Sequence, residues 1–176
     1  MRDVTVGSLF SGAGLCDFGL EWAGMKHRFF CEVDPFCRSV LRRHWPGIPI
    51  YEDVRELRGA DLPPVDVLCG GFPCQDVSLA GKRKGIAKGT RSGLWHEYAR
   101  LIEEIRPGYV IIENVPGLLA AGVEAVLQDL ASVGYDAEWE VLPAAAVGAP
   151  HRRERVFLVA YPNGHERDPE HGVLSS

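Results

Sequence analysis

Short apolar runs alternate along this chain with helix-like segments, and that alternation constrains the fold more than any other feature. The runs occupy residues 4–10, 28–33, 48–51, 65–70, 109–113, 137–142 and 155–160, and the helix-like segments occupy 13–23, 35–44, 94–105 and 123–133. A strand, a crossover helix and a second strand make a βαβ unit, which sets its strands parallel and buries them on both faces. The spacing predicts an α/β fold, a mostly parallel twisted sheet with helices on both faces. Local signals agree: Pro35 suits the first turn of a helix, and Gly134 suits a helix stop. Trp95, Tyr98 and Leu101 recur at helical spacing and are read as core packing.

With 176 residues and 46% hydrophobic side chains, the chain can bury one good core, expected over residues 1–161. Residues 162–176 turn polar and are expected to fray. The formal net charge of -5 argues against a general polyanion-binding surface but leaves room for local basic patches. Five cysteines without C-x-x-C spacing support neither a disulfide framework nor a zinc site, so no metal is expected and a reducing compartment is. The N-terminus enters a strand-like run without a charged-then-apolar leader, and no apolar stretch is long enough to cross a bilayer. A soluble, cytoplasmic protein is expected.

The chemistry gathers where strands end. In Asp66-Val67-Leu68-Cys69-Gly70-Gly71-Phe72-Pro73-Cys74-Gln75 an apolar strand projects a thiol from a Gly-Pro-stiffened turn, and open α/β sheets carry their chemistry beyond the carboxyl ends of their strands. Taken alone, Cys74 reads equally as a nucleophile or as a small buried hydrophobe. The first turn, Phe10-Ser11-Gly12-Ala13-Gly14-Leu15, lets backbone amides approach a nucleotide-like cofactor. Glu32, ending the second strand, suits a ribose. Asp34 competes for that role but precedes Pro35 and equally suits a helix N-cap. Asp53, closing the third strand, could meet an adenine amino group. Asp17 stands where the dinucleotide pattern has its third glycine, which argues against NAD. The fifth strand ends in Ile111-Ile112-Glu113-Asn114-Val115, so Glu113 either shares a pocket with Cys74 or is a solvated strand-end charge. In His151-Arg152-Arg153-Glu154-Arg155, the alternate Arg153 and Arg155 could point together into the site, or the run is a solvated charge cluster.

Taken together, these motifs resemble the DNA cytosine-5 methyltransferase family from residue 6 to residue 160. The opening motif is similar to Leu9-Phe10-Ser11-Gly12-Ala13-Gly14, the nucleophile motif to Gly71-Phe72-Pro73-Cys74-Gln75, the acid motif to Glu113-Asn114-Val115, and the arginine motif to His151-Arg152-Arg153-Glu154-Arg155. The resemblance implies a Rossmann-like methyltransferase sheet with one reversed strand near its end. It implies S-adenosyl-L-methionine as cofactor, held by Phe10, Ser11, Gly12, Gly14, Leu15, Glu32, Val33, Asp53, Val54, Pro73 and Leu94. It also implies Cys74 as the nucleophile on carbon 6 of cytosine, Glu113 at ring N3, and Arg155 with Arg153 at the O2 carbonyl or a phosphate. Gln75, Ser78, Lys82, Arg83 and Arg91 are then expected at the nucleic acid, in a glycine-rich loop that also holds Lys84 and Lys88 and suits a basic lid.

Ser8 stands where many members have aspartate, Leu15 where a further glycine is common, and His151 where glutamine is common. After the arginine motif the family continues with a target-recognition region and a final Asn-containing motif. The sequence therefore predicts a catalytic half that works with a separate recognition subunit or as an oligomer, a shortened remnant, or an isolated portion. Its substrate is expected to be DNA, with RNA as the alternative because the chemistry on cytosine is identical. Two other functions stay in view: a non-catalytic module that binds S-adenosylmethionine or a protein partner, and a Rossmann-type oxidoreductase with a redox cysteine.

Overall fold

A computed structural model describes residues 2–73 and 92–164. Its sheet has seven strands: β1 (Thr5–Leu9), β2 (Lys26–Cys31), β3 (Ile50–Tyr51), β4 (Val67–Gly70), β5 (Tyr109–Asn114), β6 (Tyr135–Pro143) and β7 (Glu154–Pro162). They lie in the order β3-β2-β1-β4-β5-β7-β6. Pairing is parallel from β3 through β5, whereas β7 runs antiparallel to both β5 and β6. This is the α/β arrangement expected, including the single reversed strand. Strand order reverses between β1 and β4, and a crevice opens at such a point beyond the carboxyl ends. The two strands meet closely there: a Cβ on Gly70 would sit 2.4 Å from the Leu9 carbonyl oxygen.

Helices α1 (Leu15–Trp22), α2 (Pro35–His44), α3 (Trp95–Ile105), α4 (Gly117–Ala121) and α5 (Val123–Ser132) complete the fold. α1 begins two residues later than the sequence pattern suggests because Gly12 and Gly14 both adopt positive φ. α2 begins as its sequence dictates, with Asp34 Oδ1 accepting the Cys37 N–H at 2.8 Å and Pro35 in the first turn. The short α4 was not signalled by the sequence, and β6 and β7 pair along a longer stretch than the apolar runs indicated.

The larger core lies between the sheet and α3, where Trp95, Tyr98, Leu101 and Ile102 are fully buried against Leu68, Val110 and Ile112. Burying each such side chain contributes about 1.5–3 kcal/mol. The Tyr98 hydroxyl reaches the Leu68 and Ile111 carbonyls at 3.2 and 3.1 Å, so its polar tip is satisfied inside the core. A smaller cluster of Val6, Val67 and Cys69, flanked by Leu20 of α1, covers the other face. At the amino ends of the strands, Asp66 accepts the Thr5 N–H at 2.9 Å and the Thr5 hydroxyl at 2.8 Å, clamping β1 to β4. None of the described helices is long and apolar enough to cross a membrane.

Candidate functional site

Two neighbouring cavities open at the carboxyl edge of the sheet, and Phe10 and Gly71 line both. The first, of about 470 Å³, is bordered by the ends of β1 to β3, by Pro73 and by Leu94 at the start of α3. Glu32 closes one side. Its Oε2 accepts the Gly12 N–H at 2.7 Å and its Oε1 accepts the Asp34 N–H at 2.8 Å. Both carboxylate oxygens are thereby fixed while each retains a lone pair for a ligand hydroxyl. Asp34, the other acid at this strand end, caps α2 and lines neither of these cavities.

Asp53 lines the same cavity, two residues past β3, where it caps the turn Val54–Glu56. Its carboxylate accepts the Arg55 backbone N–H and the Arg55 Nε–H, both at 2.9 Å. The Arg55 guanidinium holds the Asp53 carboxyl below the usual aspartate range, which keeps it an ionised acceptor. Phe10, Val33, Val54, Pro73 and Leu94 add apolar surface to the same cavity. Cys31 also borders the cavity, but burial, followed by the nearby Asp53 and Glu32 charges, pushes its thiol up to about 12. It is inert at neutral pH.

The second cavity, of about 600 Å³, takes Ser11, Gly12 and Leu15 from the first turn and Glu113, His151, Arg153 and Arg155 from the other half of the sheet. Glu113 lies directly opposite Phe157 in the antiparallel β5–β7 register, so Arg155, two residues along β7, shares its face. Their side chains meet, Arg155 Nε donating to Glu113 Oε1 at 2.7 Å. Both are partly exposed, so the pair adds little stability, and its worth lies in fixing a carboxylate and a guanidinium side by side. Gly71 leaves room for this carboxylate, since a Cβ there would fall 2.9 Å from Glu113 Oε2 and push it aside. Arg153 adopts φ 32°, a left-handed backbone conformation that non-glycine residues rarely take.

Gly14 stands apart from the other predicted contacts. It lines neither cavity, and at φ 84° a Cβ there would come within 2.6 Å of the Trp45 ring, so it serves helix entry and packing. Cys74, Gln75, Ser78, Lys82, Arg83, Lys84, Lys88 and Arg91 lie outside the described residues.

Sequence reasoning missed Asn114 and the pair Asp17–His27. Asn114 Nδ2 donates to the Phe72 carbonyl at 3.2 Å, and its Oδ1 accepts the Val115 N–H at 2.9 Å, which ties the end of β5 to the turn leading to Cys74. A polar residue on the buried face of a strand was the available signal. Asp17 is 1% exposed, borders the second cavity and meets His27 Nε2 at 3.0 Å. No local pattern announces that pair, because it joins α1 to β2.

The lining of the first cavity suits the S-adenosylmethionine that the sequence led us to expect. An anchored glutamate matches ribose hydroxyls, an ionised aspartate matches an adenine amino group, and flanking apolar side chains match the ring faces.

The family model described as C-5 cytosine-specific DNA methylase matches residues 4–173. The chain is similar to the Type II methyltransferase M2.BsuMI of Bacillus subtilis (strain 168), 42% identical over 161 residues, covering 87% of this chain and 41% of that protein. It is similar to M.AquIA of Picosynechococcus sp., 37% identical over 173 residues, covering 86% of this chain and 69% of that protein. The crystal structure of Spodoptera frugiperda DNMT2 superposes with a TM-score of 0.76 at 19% identity, covering 94% of this chain and 54% of that one, which speaks to the fold alone. The chain thus spans less than half of M2.BsuMI and more than two thirds of M.AquIA.

Proposed function

The chain belongs to the C-5 cytosine-specific DNA methylase family, and from that premise we propose that it carries the cofactor-binding and catalytic half of an enzyme that methylates carbon 5 of cytosine in DNA. What supports the reading is the meeting of two chemically different cavities at Phe10 and Gly71. One offers acceptors and apolar surface for an adenosine. The other offers a carboxylate beside a guanidinium, the pair that a cytosine ring presenting N3 next to O2 would use.

When bound, S-adenosylmethionine supplies the methyl group as an electrophile on sulfur. The residues of the chain make carbon 5 able to accept it. Carbon 5 of cytosine is a poor nucleophile, so the Cys74 thiolate adds to carbon 6, and the electron pair of the 5,6 double bond moves toward carbon 5. Glu113 holds a proton at N3 as negative charge develops on the ring, and Arg155 stabilises O2. Once carbon 5 carries the methyl group, a base takes its proton, the electron pair of that bond re-forms the 5,6 double bond, and the carbon 6–sulfur bond breaks to return the Cys74 thiolate. A base stacked in a duplex cannot reach these groups, so the target nucleotide is flipped out. Positioning such a base needs a second wall to the cleft. We place that wall in a recognition element on further polypeptide or on a partner, in keeping with the 41% of M2.BsuMI that the chain covers.

The test is a covalent trap. A duplex carrying 5-fluorocytosine, mixed with cofactor and with this chain plus its recognition element, is expected to give an adduct stable to denaturation, because fluorine cannot leave carbon 5 as a proton does. Cys74→Ser abolishes it, since a serine hydroxyl is scarcely ionised at neutral pH. An adduct that persists in Cys74→Ser, or that maps to Cys69, overturns the assignment.

A further inference from the structure

We infer that Arg38, which lines neither cavity, is a positioning residue that fixes the backbone aiming Glu32 into the first cavity and links it to the segment that carries Asp53. The inference rests on reading that cavity as the cofactor site. Backbone pairing between β2 and β3 is short: it covers Phe30–Ile50 and Cys31–Tyr51 and closes with the Glu32 N–H donating to the Tyr51 carbonyl at 3.0 Å. The segments that follow, Glu32 with Val33 and Glu52 with Asp53, all line the cavity.

Arg38 bridges them. Its Nη1 donates to the Glu32 carbonyl at 3.1 Å and to the Val33 carbonyl at 2.6 Å, and its Nη2 meets Glu52 Oε1 at 3.2 Å. One guanidinium therefore fixes the backbone that aims Glu32 and grips the residue beside Asp53.

The placement runs against two ordinary preferences. Arg38 sits in the first turns of α2, where a cation opposes the helix dipole. Its Nε is buried without a hydrogen-bond partner among the described residues, and an unsatisfied buried donor is costly. The bonds to the two carbonyls are what offset both. The Glu52 arm is the weaker one, because the Glu52 side chain is 67% exposed while that of Arg38 is 11% exposed. Arg38 thus acts mainly through Glu32.

The experiment is a calorimetric titration of S-adenosylhomocysteine into this chain, its Arg38→Lys, Arg38→Met and Glu52→Gln variants, Glu32→Gln, and the double variant Glu32→Gln with Arg38→Met. Each is measured well below its own thermal midpoint. Arg38→Met is expected to weaken binding about tenfold, Arg38→Lys about threefold and Glu52→Gln less than about twofold. In the Glu32→Gln background the Arg38→Met effect should shrink to less than about twofold, because the group Arg38 positions has already lost its charge. A role confined to stability would lower the thermal midpoint and leave these affinities unchanged, which overturns the inference, as does full multiplication of the two effects in the double variant. If Arg38→Met fails to fold, Arg38→Lys decides: unchanged affinity in that variant overturns the inference. A wild-type chain that binds no S-adenosylhomocysteine overturns the reading of the cavity and this inference with it. Wild-type binding with unmoved Arg38 variants overturns the inference alone.

Discussion

The two cavities that meet at Phe10 and Gly71 are built in opposite ways. Around the first cavity each acid is tied to neighbours close in sequence, Asp53 to Arg55 and Glu32 to Asp34, with Gly12 the more distant partner. On the base side, Glu113 and Arg155 are strangers in sequence, brought together only by the antiparallel pairing of β5 with β7. The difference teaches how each half responds to damage. Local ties preorganise a site at low cost in chain entropy, whereas a site made by strand register depends on the sheet and on whatever closes over it.

That contrast is sharpest at Glu113. Because it lines the second cavity and not the first, Glu113→Gln is expected to slow methyl transfer by about 10²- to 10³-fold in the DNA-methylating assembly, while affinity for S-adenosylhomocysteine stays within about twofold of wild type. A variant that loses cofactor affinity in proportion to rate would merge the two cavities into one functional unit and break the comparison.

A far smaller effect is expected at the opposite end of the sheet. Asp66 clamps β1 to β4 through Thr5, and those hydrogen bonds hold its carboxyl below the usual aspartate range. A depressed folded-state pKa contributes stability that is present above the ordinary aspartate range and lost as pH falls through the folded value. Asp66 is partly exposed, so the contribution is modest. Asp66→Asn should cost about 1 kcal/mol at neutral pH and flatten the acid limb of the stability profile, with cofactor affinity unchanged. Thermal denaturation at neutral and acidic pH checks this, and equal acid sensitivity in both proteins would contradict it.

The same division explains what was legible in the sequence. The parallel half and the acids at its strand ends announce themselves, because an apolar run followed by glycines or an acid records both the strand and the turn that ends it. Asp34 shows the limit of that reading. As a carboxylate near the second strand end it qualified for the ribose, and only its bond to the Cys37 N–H assigns it to the helix. Arg153 and Arg155 were readable as a pair, but Arg155 was not readable as the ion-pair partner of Glu113, since the β5–β7 register is a tertiary fact. Asp17 with His27 and Arg38 with Glu32 and Glu52 join separate elements through side chains, and local patterning carries no trace of such contacts, whereas Asn114 leaves only the hint of a polar residue on a buried strand face. Gly14 went the other way: it fits a cofactor motif, yet its position against Trp45 gives it a packing role.

The central claim is that this chain holds a complete adenosine-binding half built around Glu32 and Asp53. Parallel calorimetric titrations of S-adenosylhomocysteine and NAD into the wild-type chain and into Asp53→Ala test it most directly. The account predicts tighter binding of S-adenosylhomocysteine than of NAD, and a loss of about tenfold for S-adenosylhomocysteine in Asp53→Ala, because the ionised acceptor for the adenine amino group is gone. Tighter binding of NAD, or an S-adenosylhomocysteine affinity unmoved by Asp53→Ala, would contradict it.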